Sequence, residues 1–127
     1  MPGKQLFEYA IIRIVPRVER EEFLNAGVIL YCKDLKFLDI VYSVDRERMQ
    51  AICADLDCNE VEEHLQSFEW ICKGDRKGGA IAALDKPSRF RWLTATRSTI
   101  VQTSRVHPGF CTDPTDTLQR LFSQLVM

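Results

Sequence analysis

The sequence predicts an α+β fold, a small antiparallel sheet of three to four strands packed on one side by helices, in a single domain spanning residues 1–127. Two observations lead there. Strand-like segments come first and helical ones follow, with too few helical crossovers to wind a parallel sheet. The hydrophobic period also lengthens from that of a strand to that of a helix once Asp45 is passed. A length of 127 residues suffices for one self-sufficient core and is short for two. Apolar residues at 46% and charged residues at 28% separate the chain from the polar, aromatic-poor sequences that stay unfolded.

Phe7 to Val15 is β-branched and aromatic on both faces, with Arg13 the exception on the face of Tyr9 and Ile11. That pattern marks a strand covered on both sides, and it stops at Pro16, which cannot donate to a ladder. A polar stretch from Arg17 to Ala26 ends at Gly27, and Val28 to Cys32 reads as a second buried strand. Phe37 to Tyr42 makes a third, joined to the second through Lys33-Asp34-Leu35-Lys36 as an antiparallel hairpin. Met49, Ile52, Cys53 and Leu56 then share a helical face behind an Asp45 N-cap. A second helix starts at an Asn59 cap, carries Val61, Leu65, Phe68 and Cys72 as its apolar stripe and stops at Gly74. Gly74 to Gly79 predicts an exposed loop, followed by a short helix over Ser88 to Thr94 and a strand over Thr99 to Thr103. Asp113 caps a final helix that has Pro114 at its first position and Leu118, Leu121, Phe122 and Leu125 along one face.

No apolar run approaches the roughly 20 residues that span a bilayer, and Met1-Pro2-Gly3-Lys4-Gln5 offers no leader-like stretch. A cytoplasmic chain without a membrane segment is therefore expected. The five cysteines are an odd set in apolar surroundings, which suits reduced thiols better than a disulfide framework. Net charge is only −1, so global electrostatics do not select a nucleic acid. The distribution is uneven, however: Lys73 to Arg105 holds eight basic residues against two acidic ones. Such a segment is either a binding surface or a solvated basic face that balances the acidic helices.

Cys53, Cys58, His64 and Cys72 have the side chains zinc prefers, but structural sites pair cysteines two to four residues apart on a loop, and this spacing does not. No metal and no cofactor is expected. His107 and Cys111 lie four residues apart across Pro108-Gly109 without a third orienting residue, which falls short of a nucleophile–base pair. Glu19, Glu21 and Glu22 beside Arg17 and Arg20 read as a solvated charged stretch. The richest constellation is Ser88 to His107, where Arg91, Arg97, Ser98, Thr99, Gln102 and His107 supply forks, hydroxyls, an amide and an imidazole among Phe90 and Trp92. Arg97 stands out, between a helix and a strand amid five hydroxyl residues.

Glu8 to Arg13, Glu19 to Phe23, Asn25 to Cys32, Arg89 to Thr94, Arg97 to Gln102, and Val106-His107 followed by Gly109, Cys111, Asp113 and Pro114 resemble a bacterial family of small stand-alone proteins known only as a domain of unknown function. The resemblance covers nearly the whole chain. It implies a protein partner, because such proteins are often encoded beside a HipA-like kinase protein, and it supplies no catalytic residues. The polar positions Arg17, Arg20, Asn25, Arg91, Arg97, Ser98, Thr99, Gln102 and His107 lie in the matching segments and form the expected binding set. Two functions compete. One is a protein-interaction or regulatory module that docks through 88–107. The other is a nucleotide or nucleic-acid binder, extending to an enzyme of phosphate esters, with Arg91, Arg97, Ser98, Thr99 and His107 around one anion. No oligomeric state is read from the sequence.

Overall fold

Ten residues of continuous strand, Gln5–Ile14 (β1), run through the centre of a five-stranded antiparallel sheet. The computed structural model describes residues 3–127; Met1 and Pro2, part of the segment on which the leader expectation rests, lie outside it. β2 (Leu24–Cys32) pairs along one edge of β1, and β3 (Phe37–Tyr42) continues beyond β2 through the expected Lys33–Lys36 turn. The other edge of β1 is shared. β4 (Val101–Thr103) takes Ile12 to Ile14, and β5 (His107–Cys111) takes Gln5 to Tyr9. At the break between them Ser104 supplies the bonds a residue in a strand would make. Its N–H donates to Ile11 O at 2.8 Å, and its Oγ accepts the Ile11 N–H at 2.9 Å.

Helices cover both faces of this sheet, not the single face the element order suggests. β2 explains why: from Ala26 to Cys32 every residue is buried, so neither side of the strand can be left to water. On one side Ile29, Tyr31, Leu38 and Ile40 pack with Met49, Val61, Leu65, Phe68, Phe90 and Leu93. Those partners come from α1 (Arg46–Ile52), α2 (Cys58–Lys73) and α4 (Lys86–Leu93). Val28, Leu30 and Cys32 point the other way and join Phe7, Cys111, Leu118 and Val126 beneath α5 (Pro114–Leu125). The α+β class and the antiparallel hairpin stand; the layer count rises by one.

Several boundaries shift for identifiable reasons. Asp57, not Asn59, caps α2, accepting the N–H groups of Asn59 and Glu60, so the helix gains a turn's start before the expected site. Within the loop expected over Gly74 to Gly79, Arg76–Gly78 coil into a 3-10 turn, and the short α3 (Gly79–Ala82) follows directly. α4 begins earlier as well, because Asp85 accepts the Ser88 N–H and Pro87 fits the first turn. Gly27 sits inside β2 and does not precede it. A Cβ there would stand 2.6 Å from Val41 O and 2.7 Å from Tyr42 Cβ, so its missing side chain is what lets β3 close on β2. β5 is absent from the expected strands, since proline and glycine both disfavour a strand; at a sheet edge proline is tolerated, and Gly109 makes room for the Phe7 ring, 2.5 Å from where its Cβ would be.

Two consequences are measurable. Gly27→Ala must push backbone apart, since neither blocking group is the end of a flexible chain, and should cost about 1–3 kcal/mol in urea unfolding. An unchanged midpoint would mean the hairpin is looser than described. The second concerns Tyr42, which donates to Glu69 Oε1 at 3.0 Å and ties β3 to α2. Burial first, then the bond to Glu69 and its charge, push the phenol up from near 10 to about 12. A raised folded pKa gives a contribution that is whole below the unfolded value and is lost as pH climbs through the folded one. Stability measured from pH 10 to 12 should therefore fall more steeply for the wild type than for Tyr42→Phe; parallel curves would remove Tyr42 from this role.

Candidate functional site

α4 and the segment after it decide where the basic residues go. Phe90 and Leu93 face the core, which turns Trp92 outward, 38% exposed. Thr94 ends the helix, its Oγ1 donating back to Phe90 O at 2.8 Å. The chain then runs irregularly until Thr99 donates from Oγ1 to Val101 O at 2.8 Å and Gln102 donates from Nε2 to Thr99 O at 2.9 Å, a turn that launches β4. Arg97 lies in the irregular stretch. Its guanidinium carbon sits 4.7 Å from the Trp92 ring centre and 5.0 Å from that of Phe68, and one nitrogen donates to Trp92 O. Partial burial lowers its pKa, yet an arginine stays charged at any physiological pH.

This stacked cation forms one wall of a groove of about 410 Å³ between α2 and residues 92–99. His64, Ser67 and Phe68 line it from α2; Trp92, Ala95, Thr96, Arg97 and Thr99 line it from the other side. No described carboxylate lies within ion-pair distance of Arg97. At the groove's α2 side Glu60 stands 4.0 Å from His64 Nε2. Phe68 contributes here although its place in the helical stripe marks it as core, and it is buried. His64 and Ser67 follow from the same helix, four and one residues earlier, and helical spacing is the signal that could have found them.

Of the remaining expected site residues, Ser98 adjoins Arg97 and Gln102 bonds Thr99 O, while the others lie elsewhere. Arg91 lines a separate hollow of about 300 Å³ with Leu6, Glu8, Tyr31, Lys33, Asp34 and Pro87. Arg17 and Arg20 line a third, of about 240 Å³, with Glu22, Cys53 and Asp55; Arg17 comes within 4.0 Å of Asp55, and Arg20 pairs with Glu22. Asn25 is turned to a structural use: its Nδ2 donates to Leu125 O at 3.0 Å and holds the end of α5. Ser98 is exposed beside Arg97. His107 lies opposite Tyr9 in the sheet, the rings 5.3 Å apart. The single anion cradle of Arg91, Arg97, Ser98, Thr99 and His107 does not form. None of these three hollows is lined by both residues 17–25 and residues 91–107.

The other constellations separate too. His107 and Cys111 both belong to β5, where four residues of strand hold side chains roughly 13 Å apart. Burial pushes the thiols of Cys72 and Cys111 up, the reverse of an activated nucleophile. Among the described residues no three His, Cys, Asp or Glu side chains gather as metal ligands would. No helix among them is long and apolar enough to cross a membrane.

Within the basic segment several cations have structural work. Arg89 donates from Nη1 to Leu84 O at 2.8 Å and packs on Gly74, while Lys73 stands 3.8 Å from Asp39. Arg97 differs, because the carbonyl it bonds keeps a second donor, the Ala95 N–H at 3.4 Å. Arg97→Lys leaves no orphaned acceptor and should lower stability by less than about 1 kcal/mol. A loss above about 2 kcal/mol in thermal unfolding would make Arg97 part of the scaffold.

No curated protein and no solved structure matches the chain. A family model does match, over residues 9–126, which takes in residues 9–14 of the central strand, the Arg97 groove and the whole of the last helix. The chain belongs to the family described as protein of unknown function (DUF3037).

Proposed function

We propose that this protein is an interaction or regulatory module that docks on another protein through the polar, basic segment 88–107, with a HipA-like kinase protein as the partner class implied by the resemblance of its sequence. The observation that carries the reading is the dispersal of the cations. Arg91 and Arg97 line different shallow hollows, each beside apolar surface, where a phosphate-binding enzyme would aim them into one pocket. Exposed Trp92, with Arg97 stacked on it, is the kind of anchor that dominates protein interfaces. Leu6 and Phe110, neighbours across the β1–β5 pair and 51% and 67% exposed, add apolar area close to the Arg91 hollow. Nucleotide or nucleic-acid binding, with chemistry on phosphate esters, is the weaker reading, since it requires a convergence these side chains lack.

Co-expression with a HipA-like kinase protein encoded beside the gene, followed by size-exclusion chromatography, tests the reading. A co-eluting complex is expected, and reversing the charge with Arg91→Glu and Arg97→Glu together should weaken it by at least roughly tenfold, as losing one charged contact does. Separate elution at micromolar concentration, together with salt-sensitive binding of an oligonucleotide, would replace this function with the second one.

A further inference from the structure

We infer that the groove between α2 and residues 92–99 is a carboxylate-recognition site that takes an acidic side chain of a partner peptide, with an apolar neighbour of that side chain laid on Trp92. The inference rests on the interaction-module reading and names the chemistry of its contact. Arg97 spends one donor on Trp92 O and has no described carboxylate in range, so a charged fork is left for an incoming acceptor. Stacking against Phe68 and Trp92 holds the guanidinium plane in place before anything binds. Ordering a free arginine normally subtracts from affinity, and here that ordering is already built into the fold. The hydroxyls of Ser67 and Thr96 and the ring of His64 border the same space.

A carboxylate fits better than a phosphate. One planar fork satisfies a carboxylate, whereas a phosphate dianion draws several cations, and Arg91 lines another hollow while Arg89 ties the scaffold. Phe68, Trp92 and Ala95 give part of the lining an apolar surface, which suits the side chain adjoining an acidic residue and not a second charge. The sign agrees over a wider area: eight basic residues against two acidic ones between Lys73 and Arg105 favour an acidic visitor.

The test uses the full chain carrying Trp70→Phe, which leaves Trp92 as the sole tryptophan reporter. Its emission is titrated with acetyl-Glu-Leu-Glu-Leu-amide, with the matched Lys-Leu-Lys-Leu peptide and with inorganic phosphate. The acidic peptide should give a saturable change, the basic peptide none and phosphate a much weaker one. Arg97→Lys, verified as folded by its thermal midpoint, should weaken acidic-peptide binding roughly tenfold, while Arg120→Lys, at an exposed position of α5, should leave it unaltered. Equal response to both peptides, retention of binding in Arg97→Lys, no response at millimolar peptide, or tighter binding of phosphate would each overturn the inference. Its failure is separable from that of the module. A kinase-like partner that co-elutes equally with wild type and Arg97→Lys keeps the module and discards the groove; peptide binding without any co-eluting partner does the reverse.

Discussion

Everything in this molecule hangs on β1 being paired along both of its edges. One long strand supplies the ladder for β2 over seven positions, for β5 over five and for β4 over three. These partners come from both ends of the chain, so the C-terminal third reaches its place only by closing long loops onto β1. The loop that carries Arg97 is fixed in the same way: β4 pins its end, and the Val15 N–H reaches back to Ile100 O at 2.7 Å. The groove therefore owes its shape to strand pairing more than to the short helix beside it.

Most of the architecture is legible because local chemistry and tertiary demand agree. β1 and β3 bury only apolar side chains, Phe7, Ala10, Ile12 and Ile14 in one and Leu38 and Ile40 in the other, and α5 opens with Asp113 and Pro114, a cap and a first residue suited to a helix start. Two of the misread places share one cause. Gly27 and Gly109 are of a type that disfavours strands, yet each is a gap filled by a neighbour from across the sheet, Tyr42 in one case and the Phe7 ring in the other. Local propensity has no access to that use of glycine. The helix layer on the second face is likewise written only in β2, whose unbroken run of buried residues outweighs the order of the elements.

The candidate site is legible in part for a similar reason. Arg97 can be picked out because an arginine between two elements amid hydroxyls has little core to serve. Its aromatic partners cannot all be picked out, since Phe68 lies in the apolar stripe of α2 and serves the core and the groove at once. Density of hydrogen-bonding side chains along the chain also overstates their convergence. Strand pairing places His107 beside Tyr9, Asn25 is drawn to the end of α5, and Gln102 closes a turn on Thr99. In a sheet, near neighbours in sequence alternate between faces, so a polar-rich segment is divided between surfaces by construction.

The Ser104 break between β4 and β5 has a bearing on solubility. An outer strand with regular, unpaired backbone groups is a template on which further strands grow, and growth ends in fibrils or disordered assemblies. Here the outer column is two short pieces separated by a residue whose hydroxyl stands in for a backbone acceptor, and the longer piece carries Pro108, which has no N–H to offer. An approaching strand finds at most a few bonds before the register fails. That interruption lets the molecule expose Leu6 and Phe110 side by side near its rim without a long regular strand edge beside them.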